Sequence, residues 1–251
     1  MPPLSVTPAT YQVCDIPIAA ATPASAADVI VARARAGGRF EVHLCNAYTL
    51  SLVGDDPLLR DALLAADFNL PDGSPVAWLG RKHGTQGPVR GPGLVVEVCR
   101  RGFPHGVKHF LYGGAEGVAE LIQAELERRV PGLVVSGLEC PPWRDLDDGE
   151  LQSLADRITQ AGADVVWIGL GTPRQDYLVR QLAPLLDCVV VPVGAAFDFL
   201  AGRVGEAPAS LHGSGFEWVH RLVKEPRRLW RRYLLGNPKF VVRAAKAHRR
   251  A

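Results

Sequence analysis

The 251-residue chain has no apolar run near the roughly 18 residues of a membrane span, and no basic segment followed by an apolar stretch of leader length. Its first arginine is Arg33. These absences predict a protein made and kept in the cytoplasm, able to rest on a membrane without crossing it. The five cysteines, Cys14, Cys45, Cys99, Cys140 and Cys188, are odd in number, far apart and without a CxxC pair. This argues against a disulfide framework and a zinc site, and suits free thiols in a reducing compartment. The seven histidines have no metal-site spacing, so no metal ligands are expected. There is no GxSxG elbow, and no GxGxxG with a following ribose-binding acid at the first strand-to-helix turn. A serine hydrolase and a nicotinamide-dependent oxidoreductase both fit poorly.

Charge of one sign is scarce overall, with a formal net of only +2, but it is unevenly spread. The last 35 residues, from Glu217 onward, hold 11 of the 28 basic residues and 2 of the 26 acidic ones. The tail is therefore +9 and residues 1 to 216 are −7. An anionic partner for the tail follows: nucleic acid, anionic lipid or a phosphorylated substrate. An acidic body argues against nucleic acid. With 47% hydrophobic and 22% charged residues the composition is that of a globular chain, not a disordered one.

Short apolar, β-branched runs read as buried strands at Phe40 to Leu44, His109 to Tyr112, Leu133 to Val135, Val165 to Ile168 and Val189 to Val193. Helical spacing lies between them, as in Ala27 to Ala36, Leu58 to Ala65, Val118 to Arg128 and Leu151 to Ile158. The alternation predicts an α/β fold, a Rossmann-like and mostly parallel sheet with helices on both faces. After it comes a short, basic, helical C-terminal appendage, divided by Pro226 and Pro238 into three pieces. The expected division is a core over residues 1–205 and an appendage over 206–251. Ligands of such sheets sit beyond the carboxyl ends of the strands, so the turns there are the places to search.

Asn46, just past the first of these strands, reads equally as a helix cap or a ligand contact. Asp72, in Asn69-Leu70-Pro71-Asp72-Gly73, reads as a turn residue or as a carboxylate that deprotonates an attacking hydroxyl. Gly113 and Gly114 open a helix after a strand, where backbone N–H groups can receive a phosphate, although a tight turn explains them as well. In Gly169-Leu170-Gly171-Thr172-Pro173-Arg174-Gln175, the Gln175 amide can both donate to and accept from sugar hydroxyls. Asp198 can hold a nucleoside or sugar, or pair with Arg203. In the tail, Trp218, Leu222, Leu229, Trp230, Tyr233 and Leu234 alternate with guanidinium groups suited to phosphate or to an anionic bilayer.

In order and spacing these motifs resemble the WecG/TagA/CpsF family of bacterial glycosyltransferases, from about Tyr11 to Tyr233. The matching elements are Asn46, Pro71 to Gly73, Arg90 to Gly93, Gly113-Gly114, Gly169 to Gln175, Val193 to Asp198 and the long terminal motif Glu217 to Arg231. The resemblance implies an inverting transfer from a UDP-sugar, of N-acetylmannosamine type or a related hexose or uronic acid, with neither metal nor cofactor. It implies an acceptor sugar linked through pyrophosphate to undecaprenol. Asp72 matches the family's proposed base, and Asn46, Arg90 and Gln175 fall in its substrate-binding motifs. Arg221, Arg228 and Arg231 match arginines of an appendage thought to close over the site and bind the diphosphate at the anionic inner face of the cell membrane. Self-association into homo-oligomers is a further expectation of the family. Three positions depart from the pattern: Leu44, Val95 and Glu206. An inactive membrane-surface or nucleic-acid-binding protein of the same fold is the alternative.

Overall fold

The structure, a computed structural model, describes residues 8–205 and 217–248, apart from the side chains of Glu217, Arg221, Arg228 and His248. It opens with a hairpin of β1 (Thr10–Val13) and β2 (Ile16–Ala19). Cys14 and Asp15 both take positive φ there, as a two-residue hairpin turn matched to strand twist requires. Next come α1 (Pro23–Ala36), β3 (Phe40–Cys45), α2 (Ala47–Leu52), α3 (Pro57–Ala65), β4 (Phe68–Pro71), α4 (Ser74–Leu79) and α5 (Gly91–Gly102). The remainder of the core is β5 (Lys108–Gly113), α6 (Val118–Arg129), β6 (Val134–Glu139), α7 (Asp148–Gln160), β7 (Val165–Gly169), α8 (Arg174–Leu182), β8 (Val189–Pro192) and α9 (Ala196–Leu200).

Six strands pair in the order β4-β3-β8-β7-β5-β6, and every pairing is parallel. Parallel strands need helical crossovers, and these cover both faces. On one face Phe40, Val42 and Leu44 of β3 and Trp167 of β7 join α1, α5, α6 and α9 in one buried cluster. On the other, Phe110, Val166 and Val190 pack on α7 and α8. A third cluster seats the hairpin against α2 and α3. Asn69 ties it down: its Nδ2 donates to Pro17 O at 3.1 Å and Leu63 O at 2.7 Å.

The predicted strands and helices are all present. Beyond them the structure adds the β1–β2 hairpin, whose turn carries no glycine, and β4, whose Asn69-Leu70-Pro71 read as part of the turn that carries Asp72. A polar Asn69 and Pro71 disguise β4, yet all four of its residues are buried.

The tail forms α10 (Glu217–Lys224), α11 (Pro226–Trp230), a π-helical turn over Arg231–Leu235, and α12 (Gly236–His248). Pro226 opens a helix as expected, whereas Pro238 does not divide one. It lies in the first turn of α12, which continues directly from the π-helical turn, and a wide turn of that kind leaves room for a ring that would clash with the preceding coil of a regular helix. The tail does not stand apart from the core: Phe240 belongs to the third cluster, with Tyr11, Leu50 and Val53. Arg243 donates to the Ser51 carbonyl and pairs with Asp55 at 2.6 Å, and Lys239 reaches the same carboxylate at 3.4 Å. Glu206 and the rest of 206–216 lie outside the described residues.

Candidate active site

The carboxyl ends of β4, β3, β8 and β7 open into one cleft of about 700 Å³, closed on its far side by the tail helices. The sheet order explains the place. β4, β3, β8 and β7 are consecutive neighbours in the sheet, so the turns leaving their carboxyl ends meet over one space, where ligands of open α/β sheets sit.

Asn46 and Asp72 enter this cleft from adjacent strand ends. Asn46 caps α2, its Oδ1 accepting from the N–H groups of Tyr48 at 3.0 Å and Thr49 at 3.1 Å. Its Nδ2 donates to Asp72 Oδ2 at 3.1 Å. The two sequence readings of Asn46 are thus compatible, because one end of the amide serves the helix and the other the site. Gly73, with φ of +79°, lets the chain turn sharply after Asp72, a conformation costly for a residue with a Cβ.

Gln175, 4% exposed, reaches the cleft from the first turn of α8. Its Oε1 accepts from the Gly171 N–H at 3.0 Å and its Nε2 donates to Thr172 Oγ1 at 3.4 Å. Arg90 borders the same space from the N-cap of α5. Leu44, one of the departures from the family pattern, is in the lining too, and Val95 is fully buried in α5.

Four of the sequence-derived site residues, Asn46, Asp72, Arg90 and Gln175, are therefore gathered around one space. Gly113 and Gly114 lie beyond its lining, at the end of β5. A Cβ on Gly113 would stand 2.7 Å from the Gly169 backbone, so the absent side chain lets two strand ends approach. Asp198 is on α9, beside the lining residue Phe199, and its carbonyl accepts from the Arg203 N–H. Arg231 is exposed, its guanidinium 5.2 Å from the Trp230 ring centroid. Arg221 and Arg228 are carried by α10 and α11, with side chains outside the described set.

Several lining residues escaped the sequence reading. Arg232, not Arg231, borders the cleft, with its guanidinium 4.7 Å from the Tyr48 ring centroid. Trp78, Asn237 and Phe240 line it as well, as does Tyr233, which the sequence offered only as an apolar anchor of the tail. The two arginines are adjacent and face different directions, so which of them meets the cleft depends on how the tail seats on the core. Among the described residues no group of three or more His, Cys, Asp or Glu is arranged to hold a metal ion.

A cleft over the ends of a parallel sheet, largely apolar in its walls but holding an oriented carboxylate and flanking guanidinium groups, is the arrangement of an α/β enzyme's active site. The model of the glycosyl transferase WecG/TagA/CpsF family matches residues 11–251, and the chain belongs to that family; it is a glycosyltransferase. A relative in Bacillus spizizenii, N-acetylglucosaminyldiphosphoundecaprenol N-acetyl-beta-D-mannosaminyltransferase, is 32% identical over 200 residues, 78% of this chain and 74% of the relative.

Proposed function

We propose that the protein moves a sugar from a UDP-sugar to a hydroxyl of an acceptor sugar held through a diphosphate to a polyprenol, with inversion at the transferred carbon. The observation that carries this reading is the Asn46–Asp72 pair at the strand ends, in the same cleft as Arg90 and Arg232. A sugar hydroxyl attacks well only if its proton leaves as the new bond forms, and Asp72 is the carboxylate placed to accept it. The bond from the anomeric carbon to the β-phosphate oxygen breaks on the opposite side, so the configuration inverts. UDP departs as negative charge builds on it, and guanidinium groups offset that charge without a metal or cofactor. Arg90 and Arg232 serve there, and by family correspondence Arg221, Arg228 and Arg231. Gly113, Gly114 and Asp198, just outside the cleft's lining, are assigned to the nucleoside end of the donor from their places in the strand-end motifs.

The relative named above acts, by its name, on an N-acetylglucosaminyl-diphospho-undecaprenol acceptor with an N-acetylmannosaminyl group, which supports the same acceptor class here. No helix among the described residues is long and apolar enough to cross a membrane. Exposed Val223, Trp230, Leu234, Leu235, Val241 and Val242 stand among tail lysines and arginines, a surface suited to the anionic inner leaflet and less to nucleic acid.

The test is UDP release from UDP-N-acetylmannosamine, with and without a synthetic N-acetylglucosaminyl-diphospho-lipid, beside a thermal-shift panel of UDP-sugars. Acceptor-dependent release is expected. No stabilisation by any UDP-sugar and no release would overturn the proposal.

A further inference from the structure

Directly behind the cleft, three ionisable side chains are buried together. Glu41 and His43 project from the same face of β3 by strand alternation, and Asp176 stands on the first turn of α8; all three are fully buried. His43 Nδ1 lies 2.8 Å from Asp176 Oδ1, and its Nε2 3.1 Å from Glu41 Oε1. A neutral imidazole has one N–H, so a carboxylate acceptor on each nitrogen calls for a proton on both. Burial by itself would lower the His43 pKa, but the hydrogen bonds and charges of Asp176 and Glu41 outweigh it and raise the value to about 9.

The surroundings complete the balance. Arg180 Nη1 is 4.0 Å from Glu41 Oε2, so two carboxylates face one imidazolium and one guanidinium. From β3, Cys45 stays a thiol, its pKa pushed well up by burial and then by Asp176 and Asp72. Asn69 of β4 accepts from that thiol. Asp67 receives the Glu41 N–H at 2.8 Å, and Tyr177 of α8 donates to Asp56, which caps α3.

Apolar side chains would join α8 to β3 at lower electrostatic cost, since removing charges from water costs several kcal/mol per ion. Two directional bonds to one ring do something that apolar packing does not: the Glu41 bond, within β3, fixes the ring on its strand, and the Asp176 bond then fixes the rotation and height of the helix against it. What they fix matters for the site. The residue before Asp176 is Gln175, which holds the Gly171–Thr172 turn against the cleft, and β3 runs straight into Asn46, which holds Asp72.

We propose that His43, bonded on both ring nitrogens, is a positioning residue for sugar transfer, locking the turn that carries Gln175 to the strand that carries Asn46. The inference deepens the glycosyltransferase reading above and rests on it for its kinetic consequence.

The test combines a mutant cycle with a measurement independent of activity. The probes are UDP-N-acetylmannosamine and the synthetic N-acetylglucosaminyl-diphospho-lipid. His43→Gln is expected to lower kcat/KM at least tenfold, divided between kcat and KM as in Gln175→Ala, and the double variant to be no worse than Gln175→Ala alone. Effects that multiply would overturn the proposal. Where His43→Gln folds poorly, the pair His43→Gln/Asp176→Asn removes the unbalanced buried carboxylate and takes its place in the same cycle. Independently, amide exchange at Gly171 is expected to accelerate at least tenfold in the variant while Leu111 and Val190, in the middle of the sheet, stay protected. Unchanged protection at Gly171 would refute positioning even if the wild type transferred no sugar with these probes, an outcome that by itself counts only against the proposed reaction.

Discussion

Asn46 and Asp72, on neighbouring strand ends and 26 positions apart in the chain, share a hydrogen bond of 3.1 Å from Nδ2 to Oδ2. Because Asn46 Oδ1 is held at the same time by two backbone N–H groups of α2, the amide cannot turn without giving up its cap. The carboxylate is therefore oriented by a helix end.

Two substitutions separate orientation from stability. Asn46→Ser keeps a good cap but loses the amide donor, so stability is expected to change by less than about 1 kcal/mol while turnover falls. Asp72→Asn is expected to retain UDP-sugar binding and to lower turnover roughly a hundredfold or more, the range of a general base. Paired melting and UDP-release measurements check both; near-normal turnover in Asp72→Asn rules out its role as base.

Arg232→Ala is expected to reduce kcat/KM roughly tenfold or more by removing a charge-assisted phosphate contact, and Arg228→Ala to act in the same direction. Neither should change liposome sedimentation much, since one surface cation contributes only about 1 kcal/mol to adhesion. If sedimentation falls with turnover in proportion, these arginines anchor the protein and do not bind the diphosphate.

The tail contributes to folding as well as to the site. Phe240 is 5% exposed within the cluster beneath the hairpin, so Phe240→Ala is expected to cost about 3 kcal/mol or more. Truncation before Glu217 should lower the melting temperature and abolish transfer together. A truncated protein melting like the full chain would show that this contact contributes little.

Two buried histidines set opposite limbs of the stability profile. His109 accepts from Trp167 Nε1 at 3.2 Å through Nδ1, and burial lowers its pKa to about 4. Its unfolded form takes up a proton near pH 6.5, so its contribution is present above that pH and is lost as pH falls toward 4. His43, raised to about 9, contributes fully below pH 6.5, and that contribution is lost as pH rises through 9. Each limb is on the order of 3 kcal/mol, giving a maximum near pH 6.5. Denaturant melts across pH test this: His109→Phe should flatten the acid limb and His43→Gln the alkaline one.

Transfer is expected to persist in chelator. Of the carboxylates in Asp145-Leu146-Asp147, one faces Arg174 at 3.1 Å and the other caps α7, accepting from the Glu150 N–H at 2.8 Å. Loss of activity in chelator, restored by magnesium or manganese, would assign charge compensation to a metal instead.

Local and repeating features were legible along the chain. Short apolar runs alternating with helical spacing specified a parallel α/β sheet because strands covered on both faces are mostly apolar, as in β8, whose three valines and Pro192 are all buried. The turns after those strands could be read because glycines, Asn46 and Asp72 have backbone reasons to be there. Tertiary structure alone decided which turns converge. That Asn46 bonds Asp72, or that His43 lies between Glu41 and Asp176 from an element 133 positions away, depends on strand order, which local pattern does not encode. That Arg232 borders the cleft while Arg231 is exposed depends on how the tail seats on the core, and the hairpin at Cys14-Asp15 on backbone angles no glycine announced. Periodicity is a property of neighbours along the chain, whereas a site depends on which neighbours the sheet brings together.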